Sequence, residues 1–212
     1  MTKPKAYFIT LEGGEGVGKT TNLRFIEQQL TSAGIPYITT REPGGTPLAE
    51  NLRQLLLSDS TDPPTGLTEL LLMFAGRAQH LAKVIRPALE QGTWVICDRF
   101  TDASYAYQVS GRGQSAAELE LLEELVQQGL QPDLTLLLDM PVAAAAVRVD
   151  TRGQQRDRFE QEQQEFFERV RQGYLTRARQ FPERFRLVNA ALSLPEVQAQ
   201  VAKYLQPFLP SR

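Results

Sequence analysis

Ala6-Tyr7-Phe8-Ile9-Thr10-Leu11 passes through Glu12 into Gly13-Gly14-Glu15-Gly16-Val17-Gly18-Lys19-Thr20, and this join decides the fold. The first six residues form a short apolar run that ends at charge and glycine, the signature of a strand. The next eight fit the pattern G-x-x-x-x-G-K-[ST], which belongs between a strand and a helix. Glycines there permit positive φ and close backbone approach, so successive N–H groups face one concave nest suited to phosphate oxygens. Lys19 is placed to reach the β- and γ-phosphates, and the Thr20 hydroxyl to ligate Mg²⁺. The helix that starts at this point adds its positive end. Residues 13–20 are therefore expected to hold a nucleoside triphosphate.

Outward from this loop, short apolar strands alternate with helical stretches. Ala6–Leu11, Pro36–Thr40, Thr93–Cys97, Leu134–Leu138 and Phe185–Val188 read as strands. Lys19–Ser32, Leu48–Leu57, Leu67–Glu90, Ala116–Gln128, Val142–Thr151, Phe159–Gln180 and Pro195–Leu205 read as helices. That alternation calls for a parallel sheet covered on both faces, an α/β fold with ligands at the carboxyl ends of its strands. The loops to watch follow Leu11, Thr40, Cys97 and Leu138.

The 212 residues suit one domain, with 42% hydrophobic and 23% charged side chains, the balance of a globular chain. A net charge of −2 argues against a mainly electrostatic nucleic-acid binder. No apolar run approaches the roughly 18 residues that cross a bilayer, and the N-terminus lacks a secretory pattern, so a cytoplasmic protein is expected. Cys97 is the only cysteine, which excludes an internal disulfide and a cysteine-built metal site. His80 is the only histidine and has no partner at metal spacing, so a structural or surface role is expected.

The phosphate loop carries no cation besides Lys19, so charge for a transferring phosphoryl group must come from elsewhere. Arg148, Arg152, Arg156 and Arg158 lie in one stretch with only Asp150 and Asp157 against them, interrupted by Gly153-Gln154-Gln155. We read residues of about 148–160 as an arginine-bearing lid. Arg41 and Arg53 could fork onto a second phosphate. Asp98, at the end of a strand adjoining the loop, is placed to hold Mg²⁺ or its water, with Arg99 facing the phosphates. Ser104, Tyr107 and Gln108 fall on one face of a helix. Asp139 is expected to hydrogen-bond the start of the following helix.

The phosphate loop, Arg41-Glu42-Pro43-Gly44-Gly45-Thr46, Asp98-Arg99-Phe100 and the arginine stretch resemble the bacterial thymidylate kinases in order and spacing, from about Tyr7 to about Leu205. The resemblance implies a P-loop NTPase fold with a five-stranded parallel sheet and a lid. It implies ATP-dependent phosphorylation of dTMP to dTDP with Mg²⁺, and a homodimer. By position, Gly13, Gly14, Glu15, Gly16, Val17, Gly18, Lys19 and Thr20 would contact ATP. Arg41 and Arg53 would hold the dTMP phosphate, Arg99 would bridge acceptor and donor, and Glu15 and Glu42 would lie near the acceptor sugar and phosphate. Arg77 would hydrogen-bond the thymine carbonyl, with Ser104 and Gln108 beside the base and Tyr107 crowding out a ribose 2′-hydroxyl. Arg152 would be the lid arginine of the subtype whose loop lacks a second cation. The Glu42–Pro43 peptide would be cis. The family stacks an aromatic four residues before Arg77, where this chain has Met73; Phe74 is the first choice for that role and Met73 the alternative. Catalysis is expected from Lys19, Arg99, Arg152 and Mg²⁺ held by Thr20 and Asp98. The competing expectations are another nucleoside or nucleotide kinase, or a nucleotide-dependent switch, although no guanine-reading Asn-Lys-x-Asp is present.

Overall fold

A computed structural model describes residues 5–58, 61–150 and 162–210, the side chain of Asp150 excepted. Most of the expected lid, including Arg152, Arg156 and Arg158, lies outside the described residues. Among the described residues the five strands are β1 (Phe8–Glu12), β2 (Tyr37–Arg41), β3 (Trp94–Asp98), β4 (Leu134–Asp139) and β5 (Phe185–Asn189). They form one sheet in the order β2-β3-β1-β4-β5, and every pairing is parallel. The strand carrying the phosphate loop is thus the central one. Each strand runs one residue beyond its expected carboxyl end, because that polar residue still pairs: Leu11 and Arg41 are both opposite Asp98, and Asp139 is opposite Asn189.

The period-two alternation of a strand divides the core. Ile9, Leu11, Ile96, Leu136, Leu138 and Val188 face α1 (Lys19–Ser32) and α9 (Leu194–Leu205), meeting Ile26, Leu30, Val197, Val201 and Leu205. On the other face Phe8, Val95 and Cys97 meet Leu81, Ile85 and Phe100, while Leu137 and Phe185 meet Tyr107, Phe166, Val170 and Tyr174. Thr10 and Glu12 share the Phe8 side. Thr10 satisfies its hydroxyl on that of Thr135 at 3.0 Å.

The remaining helices are α2 (Pro47–Leu57), α3 (Gly66–His80), α4 (Arg86–Glu90), α5 (Thr101–Ser104), α6 (Ala116–Gln127), α7 (Val142–Asp150) and α8 (Gln164–Gln180). The stretch expected as one helix over Leu67–Glu90 widens at Leu81–Ile85, where the N–H of Arg86 donates to the carbonyl of Leu81. Pro87 has no N–H for an α-helical bond and its ring crowds the carbonyl four residues back, which a wider turn relieves. A second wide stretch, Tyr105–Gly111, lies directly on α8. A Cβ on Gly173 would strike Ser110 and the backbone of Ala106, so a hydrogen in that position is what brings α8 down onto the segment. No helix among the described residues is long and apolar enough to cross a membrane.

Candidate active site

The loop between β1 and α1 folds as a glycine nest, with Gly13, Gly16 and Gly18 at positive φ. At Gly16 a Cβ would collide with the carbonyl of Ala145, because α7 closes directly over the loop. Lys19 Nζ donates to the carbonyls of Gly13 (3.1 Å) and Gly14 (2.8 Å), at the mouth of the nest. Burial and the nearby Arg99 guanidinium lower the Lys19 pKa. Val17 turns its side chain into the core.

Arg99, one residue past β3, adopts φ 69°. That left-handed geometry is uncommon for a residue with a Cβ and persists where surroundings over-determine it. Its guanidinium donates to Gly13 O (2.8 Å), to the Tyr174 hydroxyl (3.2 Å) and to the Glu15 carboxylate, and lies 4.9 Å from the centroid of the Tyr107 ring. Burial opposes its charge, but Glu15 and its other partners outweigh this and raise its pKa further. A cavity of about 370 Å³ opens from the phosphate loop, lined by Lys19, Thr20, Arg41, Arg53, Asp98, Arg99 and Arg148 with Glu15 and Glu42. Arg148, on α7, donates to the carbonyl of Ala190 just past β5. Arg41 pairs with Glu50 at 2.8 Å on the rim, and Arg53 donates to the carbonyl of Pro43 at 3.0 Å. The Glu42–Pro43 peptide that shapes this rim is cis.

A second, smaller pocket of about 80 Å³ adjoins the first and shares Glu15, Glu42, Arg53 and Arg99 with it. Its inner wall is made by Met73, Arg77, Phe100, Ala103, Ser104, Tyr107 and Gln108. Arg77 donates from Nε to Glu42 (2.7 Å) and from Nη2 to Ser104 (3.0 Å), while its buried Nη1 has no hydrogen-bond partner among the described residues. A buried donor left open is costly, so this atom marks where an acceptor belongs. Gln108 Nε2 donates to Glu69 (3.0 Å), which leaves its carbonyl oxygen for another donor. The Tyr107 hydroxyl donates to Glu15 at 3.1 Å.

Phe74 is the exception among the expected substrate contacts. It is 2% exposed and packs with Leu70, Tyr105 and Leu119, its ring 4.4 Å from the Arg77 guanidinium. Met73 takes the pocket wall instead, because positions 73 and 77 are four apart on α3 and share a face, whereas 74 is turned toward α6. Asp139 also differs from expectation: its carboxylate takes two bonds from Arg171 on α8, at 2.7 and 2.9 Å, in place of capping α7. His80 is fully buried, with Nδ1 on Glu42 (3.0 Å) and Nε2 on Thr40 (2.7 Å). Sequence reading did not single out Glu12, Glu69, Phe100 or Tyr174 as site residues. The signal for Glu12 was present, the one charged residue on a fully buried central strand.

The donor chemistry suits a hard divalent cation, which takes one or two carboxylates plus phosphate oxygens and water. Asp98 Oδ1 is buried without a hydrogen-bond partner among the described residues, and Asp98 and Thr20 line the same cavity.

A parallel sheet that sets a phosphate loop at the end of its central strand, with a second pocket next door, places the chain among the P-loop phosphotransferases. The family model for thymidylate kinase matches residues 11–201. A thymidylate kinase of Chromohalobacter salexigens is 60% identical over 205 residues, 96% of this chain and 97% of the relative; one of Pseudomonas putida is 56% identical over 194 residues, 92% of each. The crystal structure of thymidylate kinase from Ehrlichia chaffeensis superposes with a TM-score of 0.77 at 35% identity, covering 96% of this chain and 99% of that one. The chain belongs to the thymidylate kinase family.

Proposed function

We propose that the chain transfers the γ-phosphoryl group of ATP to dTMP, giving dTDP. The observation that carries this reading is the junction of the two cavities at Arg99 and Arg53, one lined by the phosphate loop and the other by Arg77 with its open Nη1. The nest and Lys19 hold the donor phosphates. Arg41 and Arg53 hold the acceptor phosphate, and Arg77 Nη1 donates to a carbonyl of the base. A phosphate oxygen of dTMP, already anionic near neutral pH, attacks the γ-phosphorus in line as the bond to the leaving ADP oxygen breaks. No strong general base is needed, and catalysis is positioning with charge neutralisation. Lys19, Arg99 and the lid residue Arg152 share the developing charge. Thr20 and Asp98 would hold Mg²⁺, which supplies further neutralisation of the phosphate oxygens when bound. Tyr107, fixed on Glu15, narrows the space beside the sugar and favours a deoxyribose.

The test is an acceptor panel: steady-state rates with MgATP and dTMP, dUMP, UMP, CMP or thymidine. We expect dTMP to give the highest kcat/KM; equal rates with the ribonucleotides, or ATP turnover indifferent to any acceptor, would refute the assignment.

We further propose a homodimer through α2, α3 and α6. Leu48, Leu55, Leu67, Leu71, Leu121 and Leu125 on these adjoining helices are 48–70% exposed, an apolar surface of the kind that marks an interface. Sedimentation at micromolar concentration should give twice the chain mass, and Leu71→Asp with Leu125→Asp should give a monomer. A monomeric native chain would reject the interface.

A further inference from the structure

Glu12 closes β1, is fully buried, and holds the two ends of Arg99 through one carboxyl group. Its Oε1 accepts the N–H of Phe100 at 2.7 Å, the peptide immediately after the left-handed Arg99. Its Oε2 accepts the Tyr174 hydroxyl at 2.9 Å, and that hydroxyl in turn accepts from Arg99 Nη1 at 3.2 Å. Backbone and guanidinium of one arginine are therefore referred to the same carboxyl, with Tyr174 as the intermediate. The remaining backbone anchors are the Arg99 N–H on Leu11 O and the Arg99 carbonyl, which accepts from Cys97 Sγ. Packing alone does not call for an acid here. Every other β1 position is Phe, Ile, Thr or Leu, and a carboxyl taken out of water is costly unless its hydrogen bonds are needed. Arg99 bends through a sparsely populated conformation that neighbours must enforce, and its tip must be aimed before the reaction for charge stabilisation to be effective.

We propose that Glu12 is a positioning residue for Arg99, holding it between the two cavities through the Phe100 N–H and the Tyr174 hydroxyl. Glu12 touches no substrate; it acts by reducing the conformations open to Arg99. This inference rests on the proposed role of Arg99 in phosphoryl transfer.

The experiment measures kcat, both KM values and melting temperature for Arg99→Ala, Glu12→Met, Glu12→Gln, Tyr174→Phe and the Glu12→Met/Tyr174→Phe pair. Methionine keeps the volume and removes both acceptors; glutamine keeps an acceptor for Phe100 and a polar link to Tyr174. We expect Glu12→Met to lower kcat at least tenfold with each KM within about threefold of wild type, the melting temperature showing that the variant is folded at the assay temperature. Glu12→Gln should recover most of that loss. Tyr174→Phe should lower kcat, and the pair should lose less than the product of the two single losses. Wild-type kcat in Glu12→Met, a glutamine variant no better than methionine, or fully multiplicative losses would each overturn the proposal. If Glu12→Met does not fold, Tyr174→Phe decides, since it deletes only a hydroxyl: an unchanged kcat overturns the proposal. Arg99→Ala separates the two readings. Full activity there sinks the role of Arg99 itself, whereas a large loss there beside an active Glu12→Met sinks only the inference about Glu12.

Discussion

Arg77 on α3 donates from Nε to Glu42 Oε2 at 2.7 Å across 35 residues of chain, and both side chains are within 5% of complete burial. The ion pair fixes the direction in which Arg77 presents Nη1 to the smaller pocket. Glu42 is held from its other oxygen by His80, which itself rests on Thr40. Burial works against the Glu42 charge, but Arg77 and His80 outweigh it and keep the carboxyl below its ordinary range. The chain Thr40–His80–Glu42–Arg77–Ser104 thus runs from a strand end to the pocket wall.

Arg77→Met should raise the KM for dTMP by roughly 10- to 100-fold, the loss of one or two hydrogen bonds from a charged donor. The KM for MgATP should stay within about twofold. Stability should drop by about 3 kcal/mol, because the variant strands a buried carboxylate beside a single remaining partner. Steady-state kinetics and urea unfolding on the same preparation check both; an unchanged dTMP KM would remove Arg77 from base recognition.

Glu12 gives the pH dependence of stability a defined sign. Burial, and next the nearby Asp102, push its pKa up from the ordinary 4.5 to about 8, while Arg99 and the bonds from Tyr174 and Phe100 pull the other way. Between pH 4.5 and 8 the folded chain therefore binds a proton that the unfolded chain has released. Stability falls as pH rises through that window and levels off above it, with a slope from this group of at most about 1.4 kcal/mol per pH unit. Urea unfolding of wild type and Glu12→Gln from pH 5 to 9 should show a stability difference that grows in favour of the variant as pH rises. A constant difference contradicts the assignment.

Arg152→Ala should lower kcat by roughly 100-fold or more, in the range found for other donors to transition-state charge. The phosphate loop contributes Lys19 and no second cation, which is why the proposed mechanism gives Arg152 a share of the developing charge beside Arg99. Steady-state rates at saturating MgATP and dTMP test this, and wild-type kcat would remove Arg152 from the mechanism.

The fold was legible because its signals are local. An apolar run, a glycine loop and an amphipathic stretch each act on neighbouring residues, so strands and helices fell near their expected places. The displaced ends have local causes too. Pro87 widens the turn at Leu81–Ile85 through its missing N–H, and a polar residue such as Asp98 can still close a parallel ladder at its carboxyl end. Arg41, Arg53 and Arg99, read from the loops they sit in or near, and Arg77, supplied by the family resemblance, all line the two joined cavities. The choice between Met73 and Phe74 was not open to that reasoning. It turns on how α3 is rotated against α6, which packing decides.

The sequence by itself determined the backbone of the phosphate nest, the parallel sheet and the family, since glycine placement and hydrophobic period act through bonds and immediate neighbours. Only the tertiary structure decided which groups meet. Tyr174 reaches Glu12 across 162 residues, Arg99 reaches Tyr174 across 75, and Asp139 finds Arg171 across 32. Such partners are chosen by how α8 lies on the sheet. A buried polar group must be satisfied by whatever the fold brings within reach, and no spacing along the chain encodes that geometry.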